Sequence, residues 1–515
     1  MPLPVTRTTA RRPSVRWPGP ISVPAGDGSL PHRLSGAVVT AIARGELAPG
    51  DALPSTRALA TQVGVGRGVV VHAYDELAAA GYVEARRGSG TVVLPGADAA
   101  ARAAHLPDPT GHPVRPRGSG ETADARGVRS EGDADGRGVR SQMQADSRPV
   151  RSAAGTLDLR PGHTEPALIS DRDWRAAWRQ GIPGTPGAEA LSRARHPELE
   201  AALADHLRRM RGLVVSQDEV VVVPGASAAF RILSAAAGLA DRTVALEDPG
   251  YRRARAAFVQ EGARVRPVPV DDDGLDPALL HDSDAAVYVT PAHHYPLGAR
   301  MPVARRVELV ERARAWGQLL VEDDYDGEFR YGVPPLPALR SIRGAEACTA
   351  YVGTASKILT PDLGLAWLVP PRPVLPAVRE AQDSLSLGAS PVAARALAHL
   401  IDTGALGRHL ARAARLYHAR WDALVAALSA RLPDLRVSGV EAGLHLVLLL
   451  ADPAADDRAT ASRLLERGIR VEALSDYYLA TPRAGLVIGY ARLPESRATD
   501  VARAVAAAVA EAAPR

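Results

Sequence analysis

The chain has 515 residues, of which 46% are apolar, so it can bury more than one hydrophobic core. Its length predicts about three domains. The net charge of +4 permits nucleic-acid binding without requiring it, because net charge does not show clustering. Cys348 is the single cysteine, which excludes an intrachain disulfide and favours a reducing compartment. The start lacks a signal-peptide core and no apolar run reaches membrane-spanning length, so we expect a soluble cytoplasmic protein.

Residues 1–28 are basic and rich in proline, and they are predicted to form a disordered tail. Residues 29–95 carry the pattern of three short helices followed by a hairpin. Ser55 is placed to cap the second helix and Gly64 to end it. The third helix has a predicted buried stripe formed by Val70, Ala73, Tyr74 and Leu77. Two short helices joined by a tight turn that contains glycine predict a helix-turn-helix.

Basic residues of this head lie where a DNA-binding helix and wing need them. A recognition helix contacts the major groove through its N-terminal end, and a basic hairpin tip beside it can contact the backbone or the minor groove. The candidate DNA contacts at these places are Arg57, Arg67, Arg86, Arg87 and Gly88. The alternative is a small helical protein-interaction module with surface arginines.

The stretch from Gly45 to Val93 resembles the winged helix-turn-helix of the GntR superfamily over nearly its whole length. The resemblance implies double-stranded DNA as a partner, bound at promoter half-sites. The family usually begins its recognition helix with Ser/Thr-Arg-Asn/Thr-Thr, whereas this chain has Gly66-Arg67-Gly68-Val69. The predicted fold is unaffected, but three potential hydroxyl or amide contacts to DNA are lost.

Residues 96–155 are rich in Gly, Pro, Asp, Arg and Ser and have hardly any large apolar residue. Such a segment cannot bury enough surface to offset the entropy of ordering it, so a disordered linker is predicted. The string RGVRS occurs twice, at Arg126–Ser130 and Arg137–Ser141, which indicates a low-complexity duplication rather than a repeat fold.

Residues 156–515 alternate helical segments with strand-like runs such as EVVVVPG, RTVALEDPG, AAVYVTP and QLLVEDD. This pattern predicts an α/β fold with a mainly parallel sheet. In open α/β sheets, ligands bind outside the carboxyl ends of the strands. We therefore expect the functional residues of this module at the ends of those runs.

Lys357, in YVGTASKILTPDLG, is the only lysine, although Lys and Arg together number 62. A genome that drifts toward GC-rich codons replaces lysine by arginine wherever a long positive charge is all that is needed. An arginine stays protonated, whereas a lysine amine can lose its proton and attack a carbonyl carbon. Lys357 is therefore predicted to form a Schiff base. The alternative is a lysine that survived by chance on a solvated surface.

Small and hydroxyl-bearing residues near Lys357 suit a phosphate. Thr354 and Ser356 place hydroxyls beside the lysine at a strand-to-loop turn. Gly225 and Ala226 form a strand-to-helix turn, whose backbone N–H groups suit an anion. Taken alone, this turn is a weak signal, because any turn of small residues between a strand and a helix has the same pattern.

Three further side chains suit an aromatic cofactor. Asp323 and Tyr325 follow a predicted strand, where a carboxylate can hold a pyridinium nitrogen protonated and a phenol can bond a ring hydroxyl. Tyr251 offers an aromatic platform. The alternatives are an acidic solvated turn or a metal site for the first pair, and an ordinary loop tyrosine for Tyr251.

The strings TPAHHYPLG, VEDDYDGEFRY and GTASKILTPDLGLAWLV, behind a GntR-like head and a linker, are similar to those of the MocR family of bacterial transcriptional regulators. The large module of that family resembles the fold-type I aminotransferases, which bind pyridoxal 5′-phosphate (PLP). The resemblance runs from about Leu157 to LVIGYARLPE near the end of the chain. It implies a multi-domain protein with an α+β winged head, a large α/β domain and a small α+β subdomain at roughly 376–515.

The resemblance also implies a role for each matching residue. Lys357 would form the Schiff base with PLP, Asp323 would pair with the pyridine nitrogen, Tyr325 would bond the ring oxygen and Tyr251 would stack on the ring. The phosphate cup is implied at Gly225, Ala226, Thr354 and Ser356. No metal site is predicted.

The phosphate-binding positions depart most from the family. An arginine that usually grips the phosphate is replaced by Gly364, and the tyrosine expected to reach the partner subunit's phosphate falls at Ala194. Arg193 and Arg195 flank that position and are the candidates to substitute. Tyr295 stands near the ring, where aminotransferases commonly have asparagine, and is included among the predicted cofactor contacts.

Three functions agree with these features. The leading hypothesis is a DNA-binding regulator that senses PLP or a PLP–amino-compound adduct, and the rivals are a working aminotransferase with a DNA-binding head and a cofactor-free dimerisation scaffold. A substrate carboxylate would need an arginine, for which Arg483 and Arg492 are candidates. The resemblance implies a nucleoid-associated bacterial homodimer that is a transcription factor, and it leaves a residual transaminase half-reaction open.

Overall fold

A computed structural model of the chain describes residues 30–79, 82–86, 90–94, 97–98, 101, 156–182, 195–331 and 338–512. The predicted tail, residues 1–28, and nearly all of the predicted linker lie outside these ranges. No helix within these ranges is long and apolar enough to cross a membrane.

The head is a three-helix unit followed by a two-stranded antiparallel hairpin. Its elements are α1 (Leu30–Ala43), α2 (Thr56–Val63), α3 (Arg67–Ala79), β1 (Val83–Arg86) and β2 (Gly90–Val93). The Ser55 hydroxyl accepts a hydrogen bond from the Ala58 N–H, at 3.2 Å, and caps α2. Gly64 ends α2 with a left-handed φ of 72°, which favours glycine. Both predicted caps are confirmed.

The predicted apolar stripes form the core of the head. Leu34, Val38 and Ile42 of α1 are fully buried and meet α3. The buried stripe of α3 is the predicted one, formed by Val70, Ala73, Tyr74 and Leu77. The Tyr74 hydroxyl donates to the Pro54 carbonyl oxygen at 2.8 Å, which ties α3 to the segment before α2.

The large module contains the remaining strands and helices. The strands are β3 (Leu157–Asp158), β4 (Val221–Val223), β5 (Thr243–Asp248), β6 (Arg264–Asp271), β7 (Gly274–Leu275), β8 (Asp284–Val289), β9 (Leu319–Asp323), β10 (Thr349–Thr354), β11 (Ala366–Val369), β12 (Arg436–Ser438), β13 (His445–Leu449), β14 (Ile469–Arg470), β15 (Glu472–Ala473) and β16 (Gly485–Gly489). The helices are α4 (Asp171–Gly181), α5 (Pro197–Arg211), α6 (Ala226–Ala236), α7 (Arg252–Gln260), α8 (Val303–Trp316), α9 (Ala355–Ile358), α10 (Leu375–Ser384), α11 (Pro391–Asp402), α12 (Ala405–Arg431), α13 (Asp457–Glu466) and α14 (Ala498–Ala512).

Eight strands form one sheet in the order β4-β11-β10-β9-β8-β5-β6-β7. β11 runs antiparallel to both of its neighbours, and β7 is the antiparallel edge of a hairpin with β6. The other six strands are therefore parallel, as the sequence pattern predicts. Their carboxyl ends lie at one edge of the sheet, and the loops that follow β4, β5, β8, β9 and β10 carry the predicted site residues.

The sheet is covered on both faces, which explains its β-branched and apolar strands. Val221 and Val223 pack in a core with Phe230 of α6, whereas Leu320 packs in the core on the other side with Leu309 of α8. All residues of β4, β8, β9, β10 and β11 are buried. A rigid sheet of this kind fixes the strand ends from which the site is built.

A smaller antiparallel sheet, in the order β12-β13-β16-β15, forms a second layer with α12, α13 and α14. β3, at the start of the large module, pairs with β14 in this layer. The segment that follows β3 then crosses to the edge of the large sheet, where Gly162 contacts Lys357. The start of the large module thus joins its two layers beside the predicted lysine.

The head rests on α12 of the large module. A terminal nitrogen of the Arg415 guanidinium lies 3.1 Å from an Asp75 carboxylate oxygen on α3. Met210, near the end of α5, packs against the core of the head. These contacts involve the C-terminal half of α3, so its N-terminal end, at Arg67, stays exposed.

Candidate functional site

Lys357 lies in the short helix α9, directly after β10. The Thr354 hydroxyl caps this helix by accepting the Ser356 N–H at 3.2 Å. The Lys357 amine donates to the Gly162 carbonyl oxygen at 3.0 Å. Gly162 has a φ of +75°, which favours glycine, and a Cβ there would lie 2.5 Å from the amine nitrogen, so any larger residue would displace the Lys357 amine from this contact. Burial, and then the charge of Arg253, lower the pKa of Lys357, which favours the neutral, nucleophilic amine.

Asp323 ends β9 and is fully buried beneath the same loops. The Tyr288 hydroxyl donates to its carboxylate oxygen at 2.6 Å. Burial raises the pKa of Asp323 to about 7, with the Tyr288 hydrogen bond acting in the opposite direction. A cationic ring nitrogen beside this carboxylate would favour its ionised form and would gain a charge-assisted hydrogen bond.

The aromatic side chains of the site form a connected wall. The Tyr325 hydroxyl oxygen lies 3.0 Å from Nδ1 of His293, and that nitrogen lies 3.0 Å from an Asp326 carboxylate oxygen. Tyr295 meets Tyr251 edge to face, with ring centres 5.6 Å apart, and meets Tyr325 in the same way at 5.5 Å. These contacts hold the ring-facing side chains in fixed orientations.

The opposite end of the predicted cofactor is surrounded by small residues. Gly225, with a φ of 130°, precedes α6, which begins at Ala226 without a side-chain cap. The first N–H groups of a helix lack partners inside the helix and favour an anion. Gly364 is also left-handed, with a φ of 57°, and a Cβ there would have no heavy atom within 4 Å.

All the predicted cofactor contacts line one cavity of about 350 Å³. They are Gly225, Ala226, Tyr251, Tyr295, Asp323, Tyr325, Thr354, Ser356 and Lys357. Among the other residues that line this cavity are Gly162, Tyr288 and Arg253, which the sequence did not single out. Arg253 follows the predicted stacking tyrosine by two positions, which is the one sequence signal that could have drawn attention to it.

Of the two predicted substitute arginines, the structure describes Arg195, which does not line this cavity in its own chain. Arg195 pairs with Glu200 at 2.9 Å and with Asp218 at 3.0 Å, while Arg193 and Ala194 lie outside the described residues.

The arginines predicted for a substrate carboxylate also lie elsewhere. The Arg492 Nε donates to the Thr164 carbonyl oxygen at 2.7 Å. Arg483 lines a separate groove of about 510 Å³ beside β12 and β13. Neither side chain lines the cavity that contains Lys357.

One group of buried side chains has the composition of a metal site. Ligand atoms of His293, Asp326 and His445 lie within 4.8 Å of one another. The small cavity beside His293 and Asp326 is also lined by three arginines, Arg211, Arg300 and Arg330. Three cationic side chains oppose the binding of a divalent cation there, so we assign this group to the support of Tyr325.

The head exposes two of the predicted DNA contacts. Arg57, in the first turn of α2, and Arg67, at the start of α3, are both exposed. The Arg67 Nε donates to the Thr56 hydroxyl at 3.4 Å, which brings the N-terminal ends of α2 and α3 together. Arg86 ends β1 opposite Gly90. Its side chain, together with Arg87 and Gly88, lies outside the described residues.

Comparisons with known families match both modules. The model of the aminotransferase class I and II family matches residues 172–505, and that of the gntR family of bacterial regulatory proteins matches residues 32–93. Among solved structures, an archaeal alanine:glyoxylate aminotransferase is similar, with a TM-score of 0.64, 23% identity and coverage of 69% of this chain and 91% of that one. LysN, an α-aminoadipate aminotransferase from Thermus thermophilus, has a TM-score of 0.63 at 23% identity and covers 69% of this chain and 92% of its own.

Curated relatives match both modules together. The HTH-type pyridoxine biosynthesis transcriptional regulator PdxR of Corynebacterium glutamicum is 34% identical over 94% of this chain and 96% of its own length. The HTH-type transcriptional regulator TauR of Rhodobacter capsulatus is 32% identical over 87% of this chain and 90% of its own. The probable rhizopine catabolism regulatory protein MocR of Rhizobium meliloti is 31% identical over 87% of each chain.

Proposed function

We propose that this chain, which belongs to the MocR-type family of HTH transcriptional regulators, couples DNA binding by its GntR-type head to the occupancy of a PLP site in its aminotransferase-like domain. One observation carries the proposal. The only lysine of a chain with a DNA-binding head lines a cavity together with the carboxylate, phenols, hydroxyls and glycine turn that PLP requires.

The described residues fit PLP, the cofactor that an aminotransferase class I and II domain implies. When bound, PLP supplies an aldehyde and an electron-accepting ring. The Lys357 amine provides the nucleophile, and its contact with Gly162 aims it into the cavity. Asp323 holds a proton at the ring nitrogen, and Tyr325 donates to the ring oxygen. Gly225, Ala226, Thr354 and Ser356 receive the phosphate.

Sensing is favoured over enzymatic turnover by the DNA-binding head that precedes the aminotransferase-like domain. Neither Arg483 nor Arg492, the candidates for a substrate carboxylate, lines the cavity, and Arg253 is the arginine among the described residues that does. If turnover does occur, the PLP-loaded protein will convert many molecules of an added amino acid and keto acid per chain. We expect at most a single half-reaction.

The test of the proposed function has two steps. Addition of PLP to the purified chain is expected to produce a visible absorption band that is lost in Lys357→Ala. DNA sites are then selected from a random library, with and without PLP, and their affinities are compared by mobility shift. A change in DNA affinity that depends on Lys357 supports the regulator. An absorption band without any change in DNA binding would leave the aminotransferase hypothesis, and the absence of a band would favour the scaffold.

On the DNA side, we propose that Arg67 contacts a base edge and that the wing contacts the backbone. If Arg67 reads a guanine, Arg67→Ala costs about 1–3 kcal/mol of binding free energy and relaxes specificity. Loss of Arg86 or Arg87 should weaken all sequences alike and lower the salt dependence. Arg44→Ala is the matched control, because it removes an exposed arginine that lies after α1, outside the helix-turn-helix and the wing. Equal behaviour of the Arg67 and wing variants would refute this division.

We also infer a homodimer formed by the aminotransferase-like domains. Two heads could then bind paired half-sites, and symmetric pairing is the usual arrangement of such oligomers. Light scattering at micromolar concentration with PLP present should give twice the mass of the chain. A monomer under those conditions would contradict the inference.

A further inference from the structure

Tyr325 and Asp326 share one ring nitrogen of His293. The Tyr325 hydroxyl oxygen and a carboxylate oxygen of Asp326 each lie 3.0 Å from Nδ1 of His293. A histidine ring nitrogen either carries a hydrogen and donates it, or carries a lone pair and accepts. The state of this single atom therefore decides whether the Tyr325 hydroxyl accepts from His293 or donates to it.

The protein encloses this nitrogen. His293 and Asp326 are both buried. A Cβ at Gly443, which has a φ of +74°, would lie 2.3 Å from the Asp326 oxygen and 2.5 Å from Nδ1 of His293. The hydroxyls of Tyr331 and Tyr490 both donate to the Gly443 carbonyl oxygen at 2.7 Å, which holds this backbone in place. A fixed backbone segment thus covers the hydrogen bond between His293 and Asp326.

The Asp326 carboxylate places a hydrogen on Nδ1. An ionised carboxylate only accepts hydrogen bonds, so a histidine nitrogen that faces one carries the hydrogen and donates it. Burial raises the pKa of Asp326, and the charge of His293 acts in the opposite direction. The small cavity beside these two side chains is also lined by cations that favour the carboxylate form, namely Arg211, Arg300 and Arg330.

A second histidine packs against the His293 ring and does not compete for this hydrogen. The ring centre of His445 lies 5.2 Å from that of His293. Its Nε2 donates to the Pro296 carbonyl oxygen at 2.8 Å. Burial, and then the charge of His293, lower the pKa of His445 to about 3, so this ring stays neutral.

The hydrogen on Nδ1 leaves the hydrogen of the Tyr325 hydroxyl available to a ligand. The Tyr325 oxygen then accepts from His293, and its own hydrogen can point into the cofactor cavity, which Tyr325 lines. Burial, and then the charge of Asp326, raise the pKa of Tyr325 well above its ordinary value, so the phenol keeps this hydrogen at neutral pH.

We propose that Asp326 and His293 are positioning residues that direct the Tyr325 hydroxyl hydrogen toward the ring oxygen of PLP. Asp326 fixes the hydrogen on Nδ1, Nδ1 donates, and the phenol donates into the cavity. This inference rests on the PLP site of the proposed function and adds the residues that set the direction of one of its hydrogen bonds. Such a bond favours the anionic form of the ring oxygen, so it lowers the pH midpoint at which the visible band of bound PLP changes.

The first test removes the charge of Asp326 with little change of shape. Asp326→Asn should raise the pH midpoint of the visible band by about one pH unit and weaken PLP by roughly tenfold. Tyr325→Phe should raise the midpoint at least as much, and adding Asp326→Asn to it should change the midpoint no further. An equal shift in both backgrounds, or an unchanged midpoint, would overturn the proposal. A lower midpoint in Asp326→Asn would also overturn it, because the phenol would then donate to Asp326.

The second test separates the hydrogen on Nδ1 from the bulk of the ring. His293→Asn keeps a side-chain N–H close to the position of Nδ1 and should keep the wild-type midpoint, whereas His293→Leu should raise it as Tyr325→Phe does. His445→Gln is the matched control, since it removes the neighbouring ring and retains an N–H for the Pro296 carbonyl oxygen. It should leave the midpoint unchanged. Equal shifts in His293→Asn and His293→Leu would assign a packing role to His293 and overturn the proposal.

The position of the hydrogen can also be measured without PLP. Nitrogen NMR spectra of the cofactor-free chain, labelled only at histidine, distinguish a protonated ring nitrogen from an unprotonated one. The His293 signals are those that His293→Asn removes. Nδ1 should carry a hydrogen in wild type and lose it in Asp326→Asn, and an unprotonated Nδ1 in wild type would overturn the proposal. If wild type binds no PLP, the proposed function fails, while these spectra still decide the role of Asp326.

Discussion

The ring end and the phosphate end of the cofactor cavity are built in different ways. At the ring end, the buried side chains of Asp323 and Tyr288 are joined by a hydrogen bond between two neighbouring strands, and the partly buried Tyr325 contacts His293. At the phosphate end, small residues and hydroxyls lie at helix and loop termini. A site of this kind fixes the orientation of the ring and leaves the strength of binding to few contacts, so single substitutions can tune its affinity.

The largest expected effect is at the covalent anchor of the ring end. Lys357→Ala should abolish the visible band produced by PLP, because no other lysine exists in the chain. Lys357→Arg is the matched control, since it keeps a positive charge but provides no primary amine for the aldehyde. It should abolish the band equally. A band that persists in either variant would show that PLP is bound elsewhere or without the lysine.

The second prediction concerns the stability of the cofactor-free protein. The pKa of Asp323 is raised to about 7 in the folded chain, against about 3.9 in an unfolded one. Between about pH 4 and pH 7 the unfolded chain loses this proton while the folded chain keeps it, so stability falls as pH rises through this window. Asp323→Asn removes that loss and should be more stable than wild type above pH 7, by up to about 4 kcal/mol.

Thermal midpoints at pH 5 and pH 8 measure this difference without PLP. The gap between Asp323→Asn and wild type should be larger at pH 8 than at pH 5. Tyr288→Phe, which keeps the carboxylate but removes its hydrogen bond, should not show the same gain at high pH. A gap that does not change with pH would mean that the buried carboxylate is not the source of the instability.

The same substitution should have the opposite effect on PLP binding. Asp323→Asn removes a charged partner of the ring nitrogen, and such hydrogen bonds contribute about 1.5–3 kcal/mol. PLP affinity should therefore fall by roughly ten- to a hundredfold, while Tyr288→Phe should cost less than tenfold because the carboxylate remains. PLP titrations followed by absorbance test this order. Equal losses in the two variants would show that orientation, rather than charge, governs the ring end.

These two ends also differ in how far the sequence predicted them. Asp323, Tyr325 and Lys357 end or follow strands with clear apolar patterns, so their convergence at one edge of a parallel sheet could be anticipated. Tyr288 lies inside β8, where its neighbours from Ala285 to Val289 are all apolar, and nothing in the pattern distinguishes it from a core tyrosine.

Arg253 and Gly162 depend on contacts between distant segments, which a local pattern does not encode. Gly162 meets Lys357 across 195 residues of chain. The prediction that Arg195 of the facing subunit reaches the phosphate stays a prediction, and it did not anticipate two carboxylates of the same chain, Glu200 and Asp218, that engage the Arg195 guanidinium. Pairings of this kind arise from the packing of α5 and are invisible until the fold is assembled.

The smallest expected effect is at Gly364, where the phosphate end has space for a side chain but a backbone that disfavours one. Its φ of 57° and ψ of 42° are left-handed, and a Cβ would contact nothing within 4 Å. Gly364→Ala should therefore cost about 1 kcal/mol of stability from backbone strain alone and change PLP affinity by less than about twofold.

Gly364→Arg carries the same strain and adds a guanidinium beside the cavity. Comparing the arginine variant with the alanine variant, rather than with wild type, isolates the effect of the added charge. Because the turn at Gly225 and Ala226 already offers backbone N–H groups to the phosphate, the gain in PLP affinity should be below tenfold. Equal PLP affinities of the arginine and alanine variants would mean that a side chain at position 364 does not reach the phosphate.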